Sequence, residues 1–333
     1  MIVIPGGTGQ VGTLLARAFA ADGHEVVVLS RTPTPAPWRV VRWDAETVGN
    51  WWDPPACGDW AGELDGADAV INLAGRSVNC RYSAANRKLI LDSRVNSTRA
   101  VGQAIARATR PPRVWVQSST ATIYAHTYDA PNDEATGVLG GGDAEAGAPD
   151  TWRFSIDVAK SWERACEEAA TPRTRKVFLR SAVTMSPDRG GIFDVLLGLV
   201  RRGLGGTNGD GKQYVSWVHD RDFVRAVSWI IDHAELSGPV NVASPNPVPN
   251  AEFMRGLRAA AGVGFGLPAA RWMLEVGAVL MRTESELVLK SRRVVPGRLL
   301  DSGFAFDFPA WAGAATDLCR RWREERSGGT KAG

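Results

Sequence analysis

The chain reads as an α/β protein on three grounds: a doubly wound parallel sheet with a smaller, mainly helical lobe towards its C-terminal side. Short apolar, β-branched runs recur at 2–4, 25–29, 40–43, 69–73, 113–117 and 176–179. Between most of them lie amphipathic stretches of helical period, such as 89–106 and 161–170. Strands apolar on both faces belong to a parallel sheet covered by helices on each side. Third, the opening strand runs into a glycine-spaced turn, Gly6-Gly7-Thr8-Gly9-Gln10-Val11-Gly12, that leads straight into the helical pattern starting at Leu14.

That turn is suited to hold a pyrophosphate. Gly6 permits the tight turn, Gly9 lets the backbone approach an anion with no Cβ in the way, and Gly12 lets the helix press on its strand. The free N–H groups and positive dipole end of the helix face the same place. Gly6, Thr8, Gly9, Gln10, Val11 and Gly12 are therefore expected to bind a dinucleotide. A second strand at 25–29, where a βαβ unit needs one, sets this apart from a turn that merely packs. That strand ends Leu29-Ser30-Arg31. A carboxylate there would bond the adenosine ribose and repel a 2′-phosphate, whereas a guanidinium can grip that phosphate bidentately. Ser30 and Arg31 thus point to NADP(H) over NAD(H). The competing reading is an idle surface arginine, in a chain where only six of 39 basic residues are lysine.

The fourth strand ends Asn72-Leu73-Ala74-Gly75, small residues at the sheet edge where ligands sit in doubly wound folds. The fifth ends Gln117-Ser118-Ser119-Thr120-Ala121-Thr122-Ile123-Tyr124, whose hydroxyls either polarise a substrate oxygen or form a capping cluster. Residues 128–150 are glycine-rich, lack Lys and Arg, and hold Asp129, Asp133, Glu134, Asp143, Glu145 and Asp150. They form either a mobile solvated loop or a lid beside the site. Beyond 179 the pattern turns irregular, with a glycine-rich stretch at 203–211, a helix after Asp222 and a short strand at 240–243. Residues 250–326 read as mainly helical, with capping-box spacing at Thr283-Glu284-Ser285-Glu286. The expected organisation is a Rossmann-type nucleotide-binding domain over 1–245, with an insertion at about 185–214, a helical substrate lobe over 246–326 and a flexible tail at 327–333.

Size and composition are those of a globular protein: 333 residues, 44% hydrophobic and 23% charged. A net charge of +3, with basic residues spread along the chain, leaves no nucleic-acid footprint. Cys57, Cys80, Cys166 and Cys319 lack any zinc or redox-pair spacing and read as reduced thiols of a cytoplasmic protein, with no metal site. A first strand beginning at Met1 leaves no room for a signal peptide. The longest apolar helix candidate, 267–281, carries Arg271 and Glu275 and is too short to span a bilayer. The 13 tryptophans, Trp38, Trp43, Trp51, Trp52 and Trp60 among them, read as packing rather than sugar stacking.

Taken in order, these segments resemble the extended short-chain dehydrogenase/reductases of the epimerase/dehydratase branch. Gly6-x-x-Gly9-x-x-Gly12 matches its cofactor turn and Asn72-Leu73-Ala74-Gly75 its fourth-strand motif. Residues 118–124 are similar to the SS[ST]ATVY segment of UDP-galactose 4-epimerase, which places Thr120 at the catalytic hydroxyl position. Trp217-Val218-His219-Asp220-Arg221-Asp222 resembles the segment before that branch's late helix. Trp43-Asp44, Asp92-Ser93-Arg94-Val95-Asn96-Ser97-Thr98, Trp162-Glu163, and Leu289-Lys290-Ser291-Arg292 through Pro296 to Gly303-Phe304 narrow the likeness. They resemble the atypical "epimerase family protein" subgroup, which has its own C-terminal domain. The resemblance implies that Ser30, Arg31, Leu73, Ala74, Gly75, Arg94 and Ser118 contact NADP(H), with Thr184 near the nicotinamide. It also implies hydride transfer to or from a small hydroxyl- or carbonyl-bearing substrate, and a homodimer paired through the helices after strands four and five.

The likeness breaks at the Tyr-x-x-x-Lys pair that active members carry on the helix after the loop. Here Phe154-Ser155-Ile156-Asp157-Val158-Ala159-Lys160-Ser161-Trp162-Glu163 occupies the region. Four back from Lys160 is Ile156; anchoring on Trp162-Glu163 instead puts Ser155 at the tyrosine place and Ala159 at the lysine place. One residue of register is about 100° of helix rotation, so Lys160 either reaches the nicotinamide ribose or faces solvent. Thr120 can orient a substrate oxygen but is a poor acid, which leaves Tyr124, Ser155, Asp157 and His219 as substitutes for the proton. His219 either meets substrate or marks the helix entry with Asp220 and Asp222. Arg180, ending the sixth strand, either binds an anionic substrate or forms a strand-end ion pair. Two functions remain open: an NADP(H)-dependent oxidoreductase using Thr120, Lys160 and Tyr124, or a cofactor-occupied regulatory protein without turnover.

Overall fold

The computed structural model describes residues 1–48, 59–142, 147–280, 284 and 286–328, with backbone alone for 276–280, 287 and 328. Trp51, Trp52, Cys57, Asp143, Glu145, Thr283, Ser285 and residues 329–333 of the tail lie outside the described residues. The first half alternates as expected: β1 (Ile2–Pro5), α1 (Gln10–Ala21), β2 (Val26–Ser30), β3 (Arg39–Arg42), β4 (Ala69–Asn72), α2 (Ala84–Arg107), β5 (Val114–Ser118), α3 (Asp150–Glu167) and β6 (Arg175–Ser181). Then come β7 (Val183–Met185), α4 (Ile192–Arg201), β8 (Tyr214–Val215), β9 (Trp217–His219), α5 (Asp220–Asp232), β10 (Gly238–Val242) and β11 (Val248–Pro249). The C-terminal part contributes α6 (Asn250–Ala261), α7 (Arg271–Leu280), α8 (Glu286–Leu289), α9 (Gly297–Asp301) and α10 (Trp311–Gly328).

Seven strands form one sheet in the order β3-β2-β1-β4-β5-β6-β10, every neighbouring pair parallel. Strand alternation sends side chains to two cores. Ile2, Ile4, Val26, Val28, Val114 and Val116 pack with Leu15 and Phe19 of α1 and Phe223, Val227 and Ile230 of α5. Val3, Val27, Leu29, Val70 and Trp115 face the other way, onto Val101, Ala104 and Ile105 of α2 and Cys166 of α3. Both faces are dry, which is why these strands read as unbroken apolar runs. Trp43 and Trp60 sit in the second core, edge to face at 5.2 Å, in keeping with a packing role.

Strand order reverses between β1 and β4, and ligands in open α/β sheets bind at the carboxyl ends of strands at such a switch point. The crevice there is roofed by chain from beyond the sheet. A third core joins Phe193 and Leu197 of α4, Trp217 of β9, Phe253 and Leu257 of α6, and Trp311 and Leu318 of α10. No helix among the described residues is long and apolar enough to cross a membrane.

Candidate functional site

Two adjoining cavities, of about 380 and 530 Å³, lie along the carboxyl edge of the sheet and share Leu73 and Gly75 as a wall. The glycine turn opens into the smaller one. Gly6 has φ +75°, and a Cβ there would fall 2.6 Å from Ala74 Cα. A Cβ on Gly12 would stand 2.4 Å from Gly7 Cα, so α1 packs backbone to backbone on the turn. At Gly9 a Cβ would meet nothing within 4 Å. Gly9 also caps α1 without any side-chain hydrogen bond, so the positive end of the helix faces open space. The Gln10 side chain, expected at the cofactor, lines neither cavity: its Nε2 is buried against Gly191, with no hydrogen-bond partner among the described residues.

The rim of this cavity comes from β2 and β4. Ser30 Oγ accepts from the Thr32 N–H and donates to the Thr32 carbonyl, tightening the turn after β2. Arg31 is exposed, lines the cavity with Thr8, Ser30 and Ala74, and makes no ion pair or hydrogen bond among the described residues. After β4, Asn72 Oδ1 accepts from the Ala74 N–H at 3.1 Å, and Ser93 Oγ of α2 accepts from the Arg76 N–H at 2.9 Å. Arg94 reaches from α2 over Gly75, donates to the Arg76 and Ile90 carbonyls, and stacks on Trp162 at 4.8 Å. Burial draws its pKa down to about 10 against the pull of Tyr82 and Cys80. It therefore stays cationic at neutral pH, with no carboxylate partner among the described residues.

The larger cavity is lined by Val11, Arg94, Ser118 and Thr120, and also by Ser155, Ala159 and Trp162 of α3. Tyr82, Glu286 and Arg292 complete its polar wall. Thr120 Oγ1 accepts from the Thr122 N–H at 3.2 Å and caps the short turn after β5. Ser155 Oγ donates to Glu286 Oε2 at 2.6 Å. Arg292 Nε donates to Thr122 Oγ1 at 3.1 Å, and its Nη2 stands 3.4 Å from Glu286 Oε1. Burial raises the Tyr82 pKa and Glu286 adds to the effect, opposed by the neighbouring Ser155 hydroxyl and Arg94.

Several expected site residues are not brought to either cavity. Lys160 is exposed, its Nζ near the Gly141 turn, while Ile156 is fully buried. The Trp162-Glu163 register therefore describes α3, and Ser155 and Ala159 face the cavity. Tyr124 is 2% exposed, its phenol donating to Asn241 Oδ1 and accepting from Arg180 Nη1, both at 2.9 Å. Arg180 forms the strand-end pair: Nε and Nη2 each donate to Glu163 at 2.8 Å. Burial alone would lower the Arg180 pKa, but Glu163 and Tyr124 outweigh it and raise it. His219 is fully buried, stacked 3.7 Å over Phe308, and caps α5 by accepting from the Arg221 N–H. Thr184 is buried and lines neither cavity. The described parts of 128–150 line neither cavity. Bridges from Tyr124 to Leu139 and from Asn132 to Val294 pair them with neighbouring chain.

Tyr82, Glu286 and Arg292 were missed as cavity residues. Tyr82 precedes α2 with no motif around it, and Glu286 and Arg292 lie far along the chain, where the capping-box spacing at 283–286 and the 289–292 run gave no sign that they reach the cavity. Three cysteines, Cys80, Cys166 and Cys319, are free thiols, and no group of His, Cys, Asp or Glu among the described residues could hold a metal.

Fold and groove together define a Rossmann-type protein of the short-chain dehydrogenase/reductase kind. The chain belongs to the epimerase family proteins: residues 2–141 match the NAD dependent epimerase/dehydratase family, and 269–318 match a domain of unknown function, DUF1731. Epimerase family protein SDR39U1 of Bos taurus is 32% identical over 321 residues, covering 95% of this chain and 99% of the relative. The crystal structure of human epimerase family protein SDR39U1 (isoform 2) with NADPH superposes with a TM-score of 0.81 at 28% identity, over 96% of this chain and 99% of that one. A nucleoside-diphosphate sugar epimerase from Corynebacterium glutamicum gives 0.71 at 26% identity, over 98% of this chain and 61% of that one.

Proposed function

We propose that the protein is an NADP(H)-dependent oxidoreductase acting on a small substrate that bears a hydroxyl or carbonyl group. One observation carries the reading: two adjoining cavities that share Leu73 and Gly75 extend along the sheet edge, one holding Arg31, unpaired among the described residues, and the open face of Gly9, the other the Thr120 and Ser155 hydroxyls. The residues fit a dinucleotide. The uncapped α1 N-terminus would hold its diphosphate, Ser30 and Arg31 its 2′-phosphate, and Arg94 its nicotinamide half. The human relative whose crystal structure contains NADPH supports the same choice. When bound, the nicotinamide supplies a hydride donor or acceptor. Thr120 then orients the substrate oxygen, and Trp162 and Val158 exclude water from its neighbourhood. In this reading residues 1–245 bind the nucleotide, and 246–326 shape the substrate side through Glu286 and Arg292.

Titration of the purified protein with NADPH, followed by quenching of tryptophan fluorescence, is expected to saturate. A charged hydrogen bond contributes about 1.5–3 kcal/mol, so Arg31→Ala should weaken NADPH roughly 10–100-fold and leave NADH nearly unaffected. No NADPH binding by the wild type would overturn the proposal.

A second reading is favoured by Ser155 and Ala159 standing on the cavity face of α3, with no phenol or lysine there. It is a cofactor-occupied regulatory protein, which binds NADPH and oxidises it with no carbonyl compound. Turnover that disappears in Thr120→Ala rejects that reading.

A further inference from the structure

The larger cavity contains a hydroxyl–carboxylate pair whose two halves come from distant parts of the chain. Ser155 lies on α3 one turn before Ala159, on the face that also lines the cavity beside Thr120. Its Oγ donates to Glu286 Oε2 at 2.6 Å, within the range for efficient proton transfer. Glu286 is only 1% exposed. A carboxylate buried so deeply is costly unless it is paired and hydrogen-bonded. Among the groups that face it are Ser155 of α3, Arg292 of its own segment, and Tyr82, a phenol that also interacts electrostatically with Arg94 of α2. Two neighbouring charges have partners of their own. Glu284 accepts from Arg81 Nη1 and from the Tyr82 N–H, and Lys290 Nζ donates to the Thr122 carbonyl. The C-terminal segment thus carries one carboxylate into the space where a substrate oxygen would meet Thr120, and a hydroxyl stands between them.

We infer that Glu286 is the proton acceptor of this site, acting through Ser155 Oγ, an assignment that rests on the oxidoreductase reading. In the oxidising direction the substrate hydroxyl gives its proton to Ser155 Oγ as Ser155 passes its own to Glu286 Oε2. At the same time the carbinol carbon releases a hydride to the oxidised nicotinamide of the dinucleotide. One proton and one hydride leave the alcohol and its C–O bond becomes C=O. Glu286 ends as a carboxylic acid, which solvent later deprotonates. In the reducing direction Glu286 returns the proton along the same path. Serine alone is a poor acid and a poor base; the carboxylate behind it gives the pair a usable proton affinity, as a general acid–base group requires.

Two measurements on the full chain test this, using wild type, Glu286→Gln and Ser155→Ala. In protein labelled with carbon-13 at the glutamate side-chain carboxyls, the resonance absent from Glu286→Gln belongs to Glu286. Ser155→Ala is expected to displace its titration midpoint, and an unmoved midpoint overturns the pairing. In the second, NADPH oxidation is followed against a panel of aldehydes and ketones as a function of pH. Loss of a general acid–base group costs on the order of 10²-fold or more in kcat. Both variants should show that loss and a flattened pH profile with NADPH affinity near wild type, and Ser155→Ala should also keep a melting temperature near wild type. Ser155→Ala keeps the Glu286–Arg292 contact, so it decides the matter even if Glu286→Gln folds poorly. A wild-type pH profile in either variant overturns the relay and leaves the oxidoreductase reading standing. Loss of the profile in Tyr82→Phe alone transfers the role to that phenol and also overturns it. A wild-type protein that binds NADPH but oxidises it with no member of the panel removes the oxidoreductase reading, and the relay with it.

Discussion

At Gly9 an added methyl group would meet open space, while at Gly12 it would land 2.4 Å from Gly7 Cα and 2.5 Å from Gly7 O. The two glycines sit in different surroundings, open space in one case and helix packing in the other, although both belong to one motif; under the proposed function the open one admits the dinucleotide. Gly9→Ala should therefore unfold like the wild type in urea and yet bind NADPH more weakly. Gly12→Ala pushes against backbone that cannot rotate away, and overpacking of that kind costs about 1–3 kcal/mol. Its urea midpoint should fall accordingly. Equal destabilisation by the two substitutions would contradict the assignment of separate roles. Arg31 and Arg180 show the same divergence: one is an exposed guanidinium with no partner among the described residues, the other is held bidentately by Glu163.

Between elements, the Arg180–Glu163 pair joins β6 to α3 and gathers Ser119, Tyr124 and Asn241 around it. Ser119 Oγ donates to Glu163 Oε1 at 2.6 Å, and the Asn241 N–H of β10 donates to Glu134 Oε1 at 2.7 Å. This network fixes the angle at which α3 crosses the sheet edge, and with it the position of Ser155. Removing one partner of a buried pair strands the other charge, at about 3–5 kcal/mol. Glu163→Gln should lower the unfolding free energy measured by urea denaturation by that amount. NADPH affinity should change far less, because neither Glu163 nor Arg180 lines the crevice.

Over the whole molecule, the last helix is tied to the sheet domain through His219. Its Nδ1 accepts from the Arg221 N–H, so its proton sits on Nε2, 3.2 Å from Asp317 Oδ2 of α10. Arg321 of α10 bonds both oxygens of Asp220 at 2.7 Å. Burial lowers the His219 pKa despite the carboxylates of Asp220 and Asp317. A histidine whose folded pKa lies below its unfolded value of about 6.5 favours folding when neutral. Its contribution is complete above that value and is lost as the pH falls through the folded pKa. Urea stability of the wild type should thus decline from about pH 6.5 downwards. His219→Gln should be less stable at pH 7.5 and flatter with pH over the same interval. A variant that keeps the wild-type slope would show that another group is responsible.

The parallel sheet, its doubly buried strands and the glycine-spaced turn into α1 were legible in the sequence, because each is local. Strand runs, glycine spacing and helical period are written in neighbouring residues, and sheet packing only confirms them. Tyr124, Lys160, Arg180 and His219 could not be judged that way: whether a polar side chain meets a ligand or another side chain depends on partners 17 to 117 residues distant, or on a rotation of one residue in a helix. For the same reason Glu286 and Arg292 escaped notice, since only the folded chain carries the C-terminal segment back over Thr122 and Ser155. The sequence by itself determined the scaffold and the cofactor edge, through short-range pattern. Only the tertiary structure decided which groups face the substrate cavity, because burial and charge pairing are properties of residues brought together from across the whole chain.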